Sequence, residues 1–128
     1  MNILKIINAK RAFSNYLDAK LSPAVAYKIM KLVRAADAEA SFYQTELRKI
    51  VEQYGLRNDD GSFATSSDGN ILLAEETVEE CRKKVDELDA LDIDFPDIHF
   101  SLDELSKLSM TVREVDAISA FISDDGQA

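Results

Sequence analysis

Residues 22–55 read SPAVAYKIMKLVRAADAEASFYQTELRKIVEQYG, and this stretch decides the fold. Ser22 is a good N-cap, Pro23 stands at the first helical position where its missing N–H costs nothing, and Gly55 closes the run as a C′ residue. Between them Val25, Ile29, Leu32, Ala36, Ala40, Tyr43, Leu47, Ile50 and Tyr54 recur at steps of three or four, the period of one helix face. A helix of about 32 residues is roughly 50 Å long at about 1.5 Å per residue. That is longer than the core of a chain of 128 residues needs. It points to a scaffold, a helical hairpin or an interaction surface rather than to a pocket.

On the N-terminal side, residues 2–7 (NILKII) read either as a short strand or as a helix start. A helix is expected from Asn8, which can cap it, with Ala12, Phe13, Tyr16, Leu17 and Ala19 as its apolar side. The connection to Ser22 is then very short, which favours packed neighbours. On the C-terminal side, residues 56–70 (LRNDDGSFATSSDGN) carry two turn dipeptides, Asp60-Gly61 and Asp68-Gly69. The stretches around Ser62–Thr65 and Asn70–Ala74 pair as a small hairpin across the second turn, or the segment is a mobile loop.

A second helix is expected to open at Thr77, which has the capping-box spacing with Glu80. Val78, Cys81, Val85 and Leu88 form its narrow apolar seam, which lies against the long helix and turns Cys81 inward. Beyond Leu91, LDIDFPDIHFSL alternates apolar and polar residues around Pro96, which demotes it to an edge strand or bent arm, with NILKII as a candidate partner. Ser101 with Glu104 and Thr111 with Glu114 repeat the capping-box spacing and open two further helices, the last carrying Val112, Val115, Ile118 and Phe121 or Ile122. The tail 124–128 is polar and is expected to fray.

The expected fold is therefore mainly α (α+β): a long helical hairpin with a small β-hairpin or strand element and a C-terminal helix, in a single domain over 1–128. Helices occupy 8–55, a turn-rich hairpin or loop 56–75, the second hairpin helix 76–91, and an extended segment with short helices 92–123. The hydrophobic fraction of 46% suffices for a core without staples, and a single cysteine rules out an internal disulfide. The N-terminus lacks a signal-peptide pattern and no apolar run is long enough to span a membrane, so a bacterial cytoplasmic location is expected, without membrane partners.

Charge is unevenly spread. Residues 1–57 hold ten Lys/Arg and five Asp/Glu (10 − 5 = +5), whereas residues 58–128 hold five and nineteen (5 − 19 = −14). Such halves can attract one another within the fold or in a head-to-tail contact, and an acidic surface can also mimic DNA on a partner. Lys28, Lys31 and Arg34 form a basic helix face, but it lacks aromatic stacking residues and the remaining charge repels nucleic acid, so direct nucleic-acid binding is not expected.

Chemical motifs are missing. His99 lacks companions for a zinc site, and no nucleophile motif surrounds a serine. A calcium loop begun at Asp60 puts Ala64 and Ile71 where ligands are required. Asp86, Glu87, Asp89, Asp92 and Asp94 read as a solvated face. No glycine-rich phosphate loop is present. Neither enzymatic activity nor a cofactor or metal is expected.

The pieces LSPAVAYKIMKLVRAADAEASFYQTELRKIVEQYG, a DG-rich turn and LDALDIDFPDIHFSLDELSKLSMTVREVDAISAFI follow one another in an order that resembles an uncharacterised family of small bacteriophage and prophage proteins of Gram-positive hosts. The resemblance spans nearly the whole chain on soft helix and turn signals. Ser22 between Leu21 and Pro23 departs from the family's leucine-proline helix start. It implies a phage origin and a shared fold, and brings no functional residues with it.

The leading functional expectation is a phage-derived protein–protein interaction factor, accessory to particle assembly, acting through apolar helix faces on a phage structural or host protein or on a second copy. The alternative is an acidic inhibitor of a host nucleic-acid enzyme or defence protein. A hydrolase with an unrecognised carboxylate site is a third, weaker class. Phe42, beside the main stripe, and Tyr54, at the helix end, are the candidate partner-binding residues.

Overall fold

The computed structural model describes residues 1–123; the tail expected to fray lies outside them. Five α-helices carry these residues: α1 (Ile3–Phe13), α2 (Pro23–Tyr54), α3 (Val78–Asp89), α4 (Leu102–Leu105) and α5 (Val112–Ala117), with 3₁₀ turns at Ser14–Tyr16, Glu75–Thr77 and Ser119–Phe121. The mainly-α class holds. The small β-hairpin does not: among the described residues extended segments meet only in isolated bridges, and no sheet forms.

The helix α1 starts five residues before the expected Asn8. Asn2 is its cap, accepting from the Leu4 N–H at 2.9 Å, and Ile3, Ile6 and Ile7 are buried at helical rather than alternating spacing. The helix also ends earlier, so residues 17–22 form a longer connection than expected and Leu17 is exposed. The long helix runs Pro23–Tyr54 as the periodicity requires. Gly55 is not the left-handed C′ residue expected, since among the described residues only Gly61 and Gly69 have positive φ. It is needed for close approach: a Cβ there would lie 2.7 Å from the Val51 carbonyl oxygen and 2.9 Å from the Phe63 ring.

Where a single domain is expected from sequence, the chain divides into two compact units that share α2. The first comprises Met1–Ala40 and the chain from Asp92 onward. Its core gathers Ala9, Ala12 and Phe13 of α1, Val25, Ile29 and Leu32 of α2, and Ile98, Phe100, Leu105, Leu108, Ile118 and Phe121. The Phe13 and Phe100 rings lie 5.0 Å apart at 39°, and Phe95 meets Phe121 edge-on at 5.8 Å. The arm around Pro96 is extended, and each of its ends finds a backbone partner. Ile93 N–H donates to Met1 O at 2.7 Å, so the N-terminal partner is residues 1–2 rather than a strand over NILKII. Phe100 N–H donates to Phe121 O at 2.7 Å in a parallel bridge region with Ile122.

Two capping boxes tie the short helices to the long ones. Ser101 and Glu104 close the box of α4, and the Glu104 carboxylate also takes Lys28 of α2 at 2.8 Å. Thr111 and Glu114 close that of α5, and Glu114 also accepts from the Tyr16 hydroxyl at 2.7 Å and the Asn15 amide at 2.9 Å. The third expected box is not made: Thr77 gives its hydroxyl to Ala74 O at 3.3 Å, because a 3₁₀ turn precedes α3.

The second unit is Ser41–Leu91. Here the second half of α2 faces α3, with the Tyr43 hydroxyl donating to Asp89 Oδ1 at 2.6 Å and Tyr54, Cys81 and Leu88 buried. Residues 55–73 form three short extended segments joined by two turns of one design. Gly61 N–H donates to Asn58 O and Asn58 N–H to Ser62 O; Gly69 N–H donates to Ser66 O and Ser66 N–H to Asn70 O. Each segment bridges both others: Gly55 with Leu73, Arg57 with Phe63, and Thr65 with Ile71. The central bonds close a cycle, Leu56 N–H to Leu72 O, Leu72 N–H to Ala64 O and Ala64 N–H to Leu56 O, at 2.8–2.9 Å. Three segments closed on themselves leave room for one bridge per pair, which is why turn chemistry correct for hairpins produces no sheet.

Candidate functional site

An apolar opening in the first unit lies beside the connection from α1 to α2. It is a groove of about 280 Å³ lined by Tyr16, Leu17, Ala19, Leu21, Ala26, Ile29, Met30, Val33 and Arg34. The groove follows from local structure. Once α1 stops at Phe13 and tightens into a 3₁₀ turn, Leu17 leaves the helical register and stands on the surface at 59% exposure, while Tyr16 is held back by Glu114. Ala26, Met30 and Val33 lie on the flank of α2 beside its buried stripe Val25, Ile29, Leu32 and Ala36, so they form a shallow apolar floor. Tyr27 sits one helical turn from Met30 and is 60% exposed. Arg34 lines the groove, and Lys20 and Lys31 are exposed close to it in sequence; none of the three makes an ion pair among the described residues.

The anchors behind the groove are charged and well satisfied. Hydrogen bonds from the Thr111 N–H first, then from Tyr16 and Asn15, hold the Glu114 carboxyl down at about 2, and the same contact raises the Tyr16 hydroxyl. The Lys28 ammonium, then the Ser101 N–H, lowers Glu104. Lys28 also reaches His99 O at 3.0 Å and lies 5.7 Å from the centre of the Phe100 ring. These groups fasten elements together, and of them Tyr16 also lines the groove.

The two sequence candidates part company. Phe42 is exposed at 44% and lines a second depression of about 400 Å³ within the second unit, with Glu46, Ile50, Lys84, Leu88 and Leu91. Tyr54 is 5% exposed and belongs to the core. Its position at the helix end suggested accessibility, but Gly55 turns the chain back so that Phe63 and α3 close around that end. The Tyr54 hydroxyl finds no hydrogen-bond partner among the described residues, and burial, then the Glu80 carboxylate, raises its pKa. Burial, then the bond to Asp89, pushes Tyr43 up to about 12.

The expected apolar face of the last helix is divided. Ile118 and Phe121 are buried, whereas Val112 is 87% exposed and Val115 lines a hollow of about 180 Å³ with Leu102, Leu105, Leu108, Met110 and Ile122. The break at Ala117 into a 3₁₀ turn shifts the register, so a continuous helical stripe is not preserved. Cys81 is buried, as its seam position requires. His99 is exposed between buried Ile98 and Phe100, with Nε2 2.5 Å from Asp97 Oδ1.

Leu17 and Tyr27 are not among the candidates expected from sequence. Tyr27 carried a usable signal, an aromatic ring off the buried stripe of a patterned helix. Leu17 did not, because its exposure depends on where α1 stops. No three His, Cys, Asp or Glu side chains converge on a metal-sized site among the described residues, and no helix there is long and apolar enough to cross a membrane. No protein-family model, curated protein or solved structure matches the chain.

Proposed function

We propose that this chain is a non-enzymatic protein–protein interaction factor and that a partner protein docks at the groove beside Leu17 and Tyr27. The observation that carries this reading is Leu17, 59% exposed in the wall of an open apolar groove, with Tyr27, 60% exposed, one helical turn along α2 from the groove residue Met30. Scattered exposed apolar residues are ordinary, but a contiguous set around a groove is what partners use. The biological setting we propose, accessory work in phage particle assembly, rests on the family resemblance of the sequence.

A photo-crosslinking residue at position 27, with a control at exposed Lys107, tests this in a bacterial host producing phage. A discrete adduct at position 27 alone, with a phage structural protein or with a second copy of the chain, is the expected result. No adduct beyond the control overturns the docking site. A second reading, an acidic inhibitor, draws on Glu79, Glu80, Asp86 and Glu87, which are exposed at positions that share one face of α3. Capture of a single host nucleic-acid enzyme, released by salt, is the result that would favour it over assembly.

A further inference from the structure

Two exposed apolar surfaces of this chain carry opposite charge. The first is the groove lined by Leu17, Met30 and Arg34, with exposed Tyr27 one helical turn from Met30 and exposed Lys20 and Lys31 close by in sequence. Residues 16–34 hold four Lys/Arg and one Asp, 4 − 1 = +3; the carboxylate is Asp18, and Lys28 is engaged by Glu104. The second is the closed three-segment loop. There Leu56, Ile71 and Leu72 are 40%, 37% and 41% exposed, and Leu56 adjoins Leu72 through their backbone hydrogen bond. Residues 56–76 hold one Arg and five Asp/Glu, 1 − 5 = −4. Arg57, the single cation, is occupied by the Phe63 ring and Gly61 O. Asp60 and Asp68 are held by Ser62 and Ser66.

We propose that the occupant of the groove is the acidic loop of a second copy of this chain. Copies then associate head to tail through Leu56 and Leu72 on one and Leu17 and Tyr27 on the next, with the charges around them aligned. Such a contact uses two different patches, so each copy keeps one of each free until a ring closes or a chain grows. The apolar centre supplies adhesion and the opposite rims supply register and salt dependence. This inference rests on the groove being an interaction site and names its partner.

Sedimentation of the full chain tests it. The expected result is a mass that rises above 14.3 kDa with concentration. Association weakens roughly tenfold as salt is raised from about 50 to about 500 mM. A groove variant (Leu17→Asp with Arg34→Glu) and a loop variant (Leu72→Asp) are each truncated to weak dimers or monomers alone, and their mixture forms a 1:1 dimer that grows no further. If circular dichroism shows either apolar variant unfolded, Arg34→Glu alone and Asp59→Lys alone are each expected to weaken association, because both positions are exposed and each reverses one charge of the contact. A wild-type chain that stays monomeric, or variants that associate as the wild type does, overturns the proposal. A monomeric chain that nonetheless crosslinks to another protein at position 27 removes self-association and leaves the interaction site standing.

Discussion

At the residue scale, Glu114 joins α5 to the turn that follows α1 through its carboxylate. It closes the capping box of α5 and takes hydrogen bonds from Tyr16 and Asn15. Its carboxyl sits at about 2 in the fold against an ordinary 4.5. A depressed acid stabilises the fold fully above its unfolded pKa and loses that contribution as pH falls through the folded one. The thermal midpoint of the wild type is therefore expected to exceed that of Glu114→Gln above about pH 4.5, and the gap to close as pH approaches 2. A gap that persists at low pH contradicts the assignment. Glu104 and Asp92 are shifted the same way, by Lys28 and by the N-terminal ammonium respectively, and add to the same acid sensitivity. Thr77 and Thr111 provide a second contrast. Both have the capping-box spacing, but only Thr111 uses it. Thr111→Ala is expected to lower unfolding free energy by about 1 kcal/mol, and Thr77→Ala by a few tenths, in urea titrations. Equal losses would show that spacing alone governs both.

At the element scale, the three-segment loop depends on one atom's absence. Gly55 lets the end of α2 pass against Phe63, and the missing Cβ cannot be supplied without moving the Val51 carbonyl. Gly55→Ala is expected to destabilise by about 1–3 kcal/mol, as overpacked sites do. The amides of Leu56, Ala64 and Leu72 bond in a cycle, so their hydrogen-exchange protection is expected to fall together in this variant. Protection lost at only one of the three would mean that the segments open independently. The loop also shows how far turn chemistry reaches. Asp60-Gly61 and Asp68-Gly69 are legible as turns, and both glycines adopt φ of 87°. Whether the flanking segments lie in a flat hairpin or close on a third segment is not local information, since it depends on Gly55 and Leu73 meeting.

At the scale of the whole molecule, each unit has its own apolar centre, and that of the first is built around Phe100. Its side chain is fully buried, its ring meets Phe13, and its backbone links the extended arm to Phe121 and Ser123. Phe100→Ala is expected to cost about 3–5 kcal/mol, measured by urea or thermal unfolding. A loss below 1 kcal/mol would mean that the site collapses around the gap. Phe100 comes from an arm that periodicity describes only as extended, and it meets α1 and α2 through contacts between distant parts of the chain. The groove is of the same kind. Its floor is written into the flank of α2, yet its rim exists because α1 ends at Phe13 and releases Leu17.

What the sequence by itself determined is the long helix, its buried stripe, the inward Cys81, two of three capping boxes and both glycine turns. All of these depend on neighbours within a few residues, where helical period, cap geometry and the φ freedom of glycine act directly. Tertiary structure alone decided that Tyr54 is enclosed, that Thr77 turns back to Ala74, that three segments close without a sheet, and that Leu17 faces out beside a groove. Each of those depends on which distant side chain arrives at the same place. Local pattern sets what a segment can present, and packing between segments sets which of its faces remains uncovered.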